Sequence, residues 1–188
     1  MHFGVVGHVR GITCLDGKLY VVYKSSHRIH VFTAGMHSKV AIIKVHALQD
    51  PTDIVACRDG HQLYASDREG RICRVSAVNP DDQEKWLTDD ALRGFCTLSV
   101  ASQRLLVTLP GSRSLRQYST TNRQLLRVID CGSLSHRFHS VEPSHSAETT
   151  RGTFVVICER KEMGGFMWSG LTSEAVSELF RFTICLLV

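Results

Sequence analysis

The chain has 188 residues, of which 43% are hydrophobic and 21% charged, and its formal net charge is +4 at pH 7. This length suits one domain, and the apolar fraction is sufficient for a core, which excludes wholesale disorder. No run reaches the ~18 apolar residues of a membrane-spanning helix, and the N-terminus lacks the pattern of a secretory signal, so no membrane association is predicted.

In chain order, the first notable feature is a sequence motif that occurs more than once. The segment DGKLYVVYKSSHRIHVF starts at Asp16, and DGHQLYASDREGRICRV starts at Asp59, 43 residues later. SQRLLVTLPGSRSLRQYS continues the pattern, and a looser fourth copy contains RGTFVVICE and SELFRFTI. Self-similarity at a fixed period predicts a repeat architecture.

Each copy predicts a series of short strands rich in Val, Ile, Tyr, Phe and Thr. The first strands are RGITCL, TDIVAC, FCTLSV and FHSVEP, and the second strands are KLYVVY, QLYASD, RLLVTL and TFVVIC. The third strands are RIHVFT, RICRVS, LRQYST and LFRFTI, and the fourth are KVAIIKV, QEKWLT and QLLRVID. Turns are expected between first and second strands, where Asp-Gly and similar pairs tolerate positive φ. These turns are Asp16–Gly17, Asp59–Gly60, Ser102–Gln103 and Arg151–Gly152.

Four strands in a unit of this length are typical of one blade of a β-propeller. A blade cannot bury both faces of its sheet alone, so neighbouring blades must stack. The sequence therefore predicts an all-β fold, a partial or truncated β-propeller of about four blades in a single domain over residues 1–188. The blade-like repeats span approximately 8–48, 49–90, 91–133 and 134–188.

The second copy, PTDIVACRDGHQLYASDREGRICRVS, resembles the NHL-repeat family and related six-bladed TolB-like propellers. The first copy keeps the same order of apolar, turn and charged residues, but it has Tyr23 and Lys24 where that family usually places Asp. The resemblance implies a propeller that closes with six blades, whereas four blades account for this chain. An incomplete ring exposes sheet edges, so homo-association through its open ends is expected.

Cofactor and metal motifs are absent from the sequence. None of the seven cysteines forms a C-x-x-C pair, and most lie in apolar runs, which favours reduced, buried thiols and a cytosolic setting. The ten histidines lack zinc-ligand spacing. Calcium-dependent hydrolases among the six-bladed propellers would require several axial carboxylates. Only Asp67 fits that position, and Asp67 and Asp53 are expected to bind turn backbone instead.

Two regions are candidates for binding a partner. The third repeat is rich in arginine, namely Arg93, Arg104, Arg113, Arg116, Arg123 and Arg127. Because arginine pairs with phosphate and stacks on bases, these residues raise RNA as an alternative partner. The fourth repeat contains an insertion over residues 160–177 with Phe166, Met167 and Trp168, which are types common at interfaces.

The sequence carries no nucleophile elbow and no phosphate-binding loop. We therefore predict a non-enzymatic binding or scaffold module that presents blade loops to a protein partner. The alternatives are an RNA-binding propeller face and a calcium-dependent hydrolase. The candidate binding residues are Arg104, Arg113, Arg116, Arg123, Phe166, Met167 and Trp168.

Overall fold

The computed structural model describes residues 7–35, 38–131, 141–148, 154–160 and 182–187, and nearly all of its regular structure is β-strand. The first sheet contains β1 (Val9–Leu15), β2 (Lys18–Tyr23), β3 (Arg28–Thr33) and β4 (Lys39–Lys44). The second contains β5 (Pro51–Cys57), β6 (Gln62–Asp67), β7 (Glu69–Ser76) and β8 (Gln83–Arg93). The third contains β9 (Thr97–Ala101), β10 (Arg104–Leu109), β11 (Ser114–Ser119) and β12 (Leu125–Asp130). The fourth contains β13 (Val141–Glu148), β14 (Phe154–Arg160) and β15 (Phe182–Leu187).

Every sheet is an antiparallel meander in which strands adjacent in sequence are adjacent in space. The first three sheets have four strands, and three strands of the fourth sheet lie within the described residues. This arrangement confirms the predicted all-β fold of blade-like sheets. In the first three sheets the predicted strands agree with the observed ones, although β8 runs on to Arg93. In the fourth sheet β13 runs on to Glu148 and β15 on to Leu187, beyond the predicted strands, whose first residues, 138–140 and 179–181, lie outside the described residues.

The hairpin turns agree with the prediction in the first and third sheets. Asp16 and Gly17 have φ of 50° and 71°, and Ser102 and Gln103 have φ of 45° and 61°, as a tight two-residue turn requires. The Arg151–Gly152 turn lies outside the described residues. Asp59–Gly60 lies between β5 and β6 as predicted, but the tight turn with positive φ expected there was wrong. There the chain forms a short 3₁₀ helix over Arg58–Gly60, and the positive φ of 49° falls on His61. The loop between β5 and β6 is longer, so the left-handed residue comes later.

Consecutive sheets pack face to face, with the first strand of each sheet against the first strand of the next. Val22 and Ile29 of the first sheet share a fully buried cluster with Leu63 and Ala65 of the second. A second cluster joins the second sheet to the third, and a third cluster joins the third sheet to Val156 of the fourth. Among the described strands, no comparable packing joins the fourth sheet back to the first. This stacking buries the sheet faces as in a propeller.

The backbones of β1 and β5 approach most closely at Gly11. A Cβ atom there would lie 2.6 Å from Asp53 Oδ1 and 2.7 Å from the Ile54 nitrogen. Because one obstruction is main chain, we expect Gly11→Ala to lower the free energy of unfolding by about 1–3 kcal/mol. Urea unfolding would measure this loss. Gly35→Ala is the matched control, since nothing lies within 4 Å of its Cβ position, and an equal effect at both glycines would contradict the packing described.

Buried cysteines agree with the expected role of structural thiols. Cys57, Cys73 and Cys96 are buried and unbridged. Burial is the main cause that raises the pKa of Cys73, to about 12, and burial also raises the pKa of Cys96. The thiols of Cys73 and Cys96 therefore stay protonated near neutral pH and pack as small apolar groups. Cys14 differs because it is exposed on β1.

Candidate binding site

Asp67 is the last residue of β6, and its carboxylate binds main-chain nitrogens of the β6–β7 hairpin. Its side chain is fully buried and accepts hydrogen bonds from the main-chain nitrogens of Glu69 (3.0 Å) and Arg71 (3.2 Å). The Arg71 guanidinium also contacts Asp67 Oδ2 at 2.8 Å. At the equivalent position, the last residue of the second strand, the first sheet has Tyr23 and the third sheet has Leu109. The expectation that Asp67 binds turn backbone is confirmed.

Asp53 joins the second sheet to the third in the same manner. Its carboxylate accepts hydrogen bonds from the main-chain nitrogens of Ile54 and Leu98, both at 2.8 Å. Burial raises the pKa of Asp53, and the two backbone donors and the charge of His145 only partly oppose that effect. Asp53 thus binds main chain, as predicted, and its bond to Leu98 links the second sheet to the third.

Opposite charges face one another across the interface between the second and third sheets, which is called the seam below. Residues 49–90 contain ten carboxylates and five Lys or Arg side chains, whereas residues 91–133 contain six arginines and one carboxylate. Strand β8 supplies Asp89 and Glu84 to the seam. Arg116 contacts Asp89 at 3.1 Å, and Arg123 contacts Glu84 at 2.7 Å. Two arginines of the third sheet are therefore neutralised by carboxylates of its acidic neighbour.

A pocket of about 350 Å³ opens at one end of this seam. Its walls come from the loops between first and second strands and between third and fourth strands, together with the nearby ends of β6, β7 and β8. The lining residues are Cys57, Asp59, Gly60, Gln62, Tyr64, Arg74, Glu84, Trp86, Gln103, Thr120, Thr121 and Arg123. The second and third sheets both contribute, so the pocket depends on their packing.

Glu84 is the centre of the polar wall. It contacts Arg74 of its own sheet at 2.6 Å and Arg123 of the third sheet at 2.7 Å. Arg74 also donates to Gln62 at 3.0 Å and contacts Asp82 at 3.2 Å. Burial alone would raise the pKa of Glu84, but its two arginine partners outweigh burial and leave that pKa lowered. The carboxylate is therefore ionised near neutral pH and holds both guanidinium groups in place.

The apolar wall consists of aromatic rings packed edge to face. Trp86 is buried and meets Tyr64 edge to face, with ring centroids 5.2 Å apart. On its other side it meets Tyr118 of the third sheet at 6.5 Å, and the Tyr118 hydroxyl donates to Asp89. Burial is the main cause that raises the pKa of Tyr64 and of Tyr118 to about 12. The pocket thus combines a rigid aromatic surface with fixed charges.

The candidate arginines separate in the structure. Arg123 lines the pocket, and Arg116 lies within the same seam. Arg104 reaches the next seam and contacts Glu148 of the fourth sheet at 2.7 Å. Arg113 lies in the turn between β10 and β11 with a φ of 51°. Phe166, Met167 and Trp168 lie outside the described residues, so their proposed role in binding stays a prediction.

Sequence reasoning missed the contribution of the second sheet. Glu84 and Trp86 are two residues apart on β8, so alternation places both side chains on the face that meets the third sheet. That signal was present in QEKWLT, which reads as a strand. The cross-sheet partners could not be deduced, because they depend on how the two sheets stack.

Over the described ranges, no three His, Cys, Asp or Glu side chains converge closely enough to hold a metal ion. Within the same ranges, no helix is long and apolar enough to cross a bilayer.

Solved structures share this fold. No family model and no curated protein matches the chain. The computationally designed Ika4 protein matches with a TM-score of 0.60 at 10% identity, covering 100% of this chain and 96% of Ika4. Kuenenia stuttgartiensis hydrazine synthase matches with a TM-score of 0.59 at 16% identity, covering 88% of this chain and 47% of that chain. A nidogen/laminin complex matches with a TM-score of 0.58 at 15% identity, covering 69% and 49%.

These matches are propeller-type folds, and at such identities they establish the fold alone. The chain spans about half the length of the matched hydrazine synthase and nidogen/laminin chains. A β-propeller-type fold is therefore shown, and membership of the NHL family is not.

Proposed function

We propose that the chain is a non-enzymatic binding module that receives a protein partner at the pocket between the second and third sheets. The observation that carries this proposal is the pocket wall itself. Glu84 holds Arg74 and Arg123 beside a buried pair of aromatic rings, so polar and apolar contacts are fixed before a partner arrives. Rigid aromatic and arginine side chains in partly desolvated pockets are typical of binding hot spots.

The ionisation states in the pocket support binding rather than catalysis. A general acid or base works best when its pKa lies near the working pH. The lowered pKa of Glu84 keeps it charged, and the raised pKa of about 12 keeps Tyr64 protonated, so neither group exchanges protons near neutrality. We accordingly assign these residues to recognition and no residue to bond breaking.

Membership of the NHL-repeat type forms part of the proposal. Asp67 stands at the position of the family's strand-end aspartate in the second copy, and one of the matched structures is a complex of nidogen with laminin. Both points favour a propeller that binds proteins through its loops.

Site-specific photocrosslinking tests this function. A photoreactive amino acid at Thr121, which is exposed at the pocket rim, should trap a defined protein partner in extracts. The matched position is Asp90, which is exposed toward the opposite end of the same seam. Equal capture from both positions, or capture from neither, would overturn the proposed site.

A further inference from the structure

The first sheet has an outer edge that is accessible and strongly basic. Between residues 7 and 48 the sequence contains one carboxylate, Asp16, which is paired with His61 of the second sheet. The same stretch contains six cations, Arg10, Lys18, Lys24, Arg28, Lys39 and Lys44. Among the described residues none of the six makes an ion pair. This sheet differs from the third, whose arginines are largely neutralised.

Three of the six cations lie on β4 or directly opposite it. Lys39 and Lys44 are exposed near the two ends of this strand, and Arg28 lies directly opposite Lys44 on β3. Like charges directly opposite each other destabilise an antiparallel pair, and a bound anion removes that cost. Besides burial, Lys39 and Arg28 both lower the pKa of the neighbouring His30, as a local excess of positive charge requires.

The main chain of β4 offers unpaired hydrogen-bonding groups. This strand is paired with β3 alone, so its other edge is open. The Val45 nitrogen donates to the His27 carbonyl, so alternation directs the main-chain groups of Ile42 and Lys44 away from β3. The Lys44 carbonyl accepts a bond from Gln83, whereas the Ile42 groups have no partner on that side among the described residues. The Ile42 side chain is 43% exposed beside this edge.

We infer that the outer edge of β4 binds an extended acidic peptide segment of a partner protein, which adds to the first sheet as a fifth strand. Main-chain hydrogen bonds at Ile42 supply affinity, and Lys39, Arg28 and Lys44 select acidic side chains. Edge lysines normally prevent a sheet from pairing with a copy of itself. Two β4 edges would repel one another, so charge complementarity favours an acidic strand over a second copy of this chain.

This surface is separate from the pocket between the second and third sheets, and its test does not depend on that proposal. The probe is a blocked peptide of about eight residues in which Glu and Val alternate, which extends as a strand with all carboxylates on one face. Its binding to the full chain is measured by fluorescence anisotropy. Lys44→Glu should weaken binding by about tenfold or more. Arg58→Glu is the matched charge reversal at an exposed position in the second sheet and should change binding less than about twofold.

A proline variant separates strand addition from simple charge attraction. Ile42→Pro removes an outward N–H while leaving the bonds between β3 and β4 in place, and proline is tolerated on edge strands. This variant should also lose about tenfold or more in affinity. As a test that leaves the protein unchanged, N-methylation of every peptide residue should abolish binding, because it removes the main-chain donors along both edges of the peptide.

Loss of binding in both variants and with the methylated peptide is the expected result. Binding that survives Ile42→Pro and methylation would show attraction by charge alone and overturn the proposal. No peptide binding, equal weakening by Arg58→Glu, or stronger binding of a single-stranded RNA of equal charge would also overturn it.

Discussion

Trp86→Ala is expected to lower the free energy of unfolding by about 3–5 kcal/mol, which is a large part of the stability of a single domain. The indole is 3% exposed and packs between Tyr64 of its own sheet and Tyr118 of the third sheet. Truncation leaves a cavity at the seam and removes both edge-to-face contacts. Urea unfolding followed by far-ultraviolet circular dichroism measures the loss, because the variant removes a fluorophore.

Val78→Ala is the matched control for Trp86→Ala. Val78 is apolar but 76% exposed, so its truncation should change the free energy of unfolding by about 0.5 kcal/mol or less. Trp86→Phe should lie between the two, since it retains one ring. A Trp86→Ala variant as stable as the Val78 control would mean that the second and third sheets do not pack on this side chain.

Asp67→Asn is expected to cost about 3–5 kcal/mol, because it leaves the Arg71 guanidinium without its buried partner. Asp67 is fully buried, and its carboxylate receives two main-chain donors within the β6–β7 hairpin besides that guanidinium. An amide of the same shape removes the charge and replaces one acceptor oxygen with a donor group. The midpoint of urea unfolding should therefore fall without a change in slope.

Two further variants test the cause of that loss. Asp82→Asn removes an exposed partner of Arg74 and should cost less than about 1 kcal/mol. Combining Asp67→Asn with Arg71→Met should recover part of the stability, because removing both members of a buried pair costs less than removing one. A similar cost for Asp67→Asn and Asp82→Asn would contradict the anchoring role of Asp67.

The strands could be predicted from the sequence because they depend on local properties. Alternation in segments such as RIHVFT and the Ser102–Gln103 turn need only the pleat and the allowed backbone angles. The conformation predicted for Asp59–Gly60 was wrong because the dipeptide does not encode the length of the loop. In this longer loop the left-handed residue is His61. Local rules therefore predict where a hairpin lies along the chain more accurately than they predict the conformation of its turn.

The candidate site could be predicted only in part. The sequence indicates Arg123 as a partner-binding residue, but its partner Glu84 is 39 residues away in sequence, so their contact depends on stacking of the two sheets. Counting arginines predicts a basic surface on the third repeat. The structure pairs Arg104, Arg116 and Arg123 with carboxylates of neighbouring sheets, so the cations without an ion pair among the described residues lie mostly on the first sheet.

Face-to-face stacking of the second and third sheets is the claim on which the pocket depends, and one engineered crosslink tests it most directly. The Thr52 hydroxyl of β5 lies 3.5 Å from the Cys96 sulfur, which precedes β9 by one residue. Because both positions are buried, oxidation is carried out during refolding from urea, and Thr52→Cys should then form a disulfide with Cys96, identified by peptide mass mapping. An introduced thiol that stays unlinked, or that pairs with another cysteine instead, would contradict the stacking and the pocket built on it.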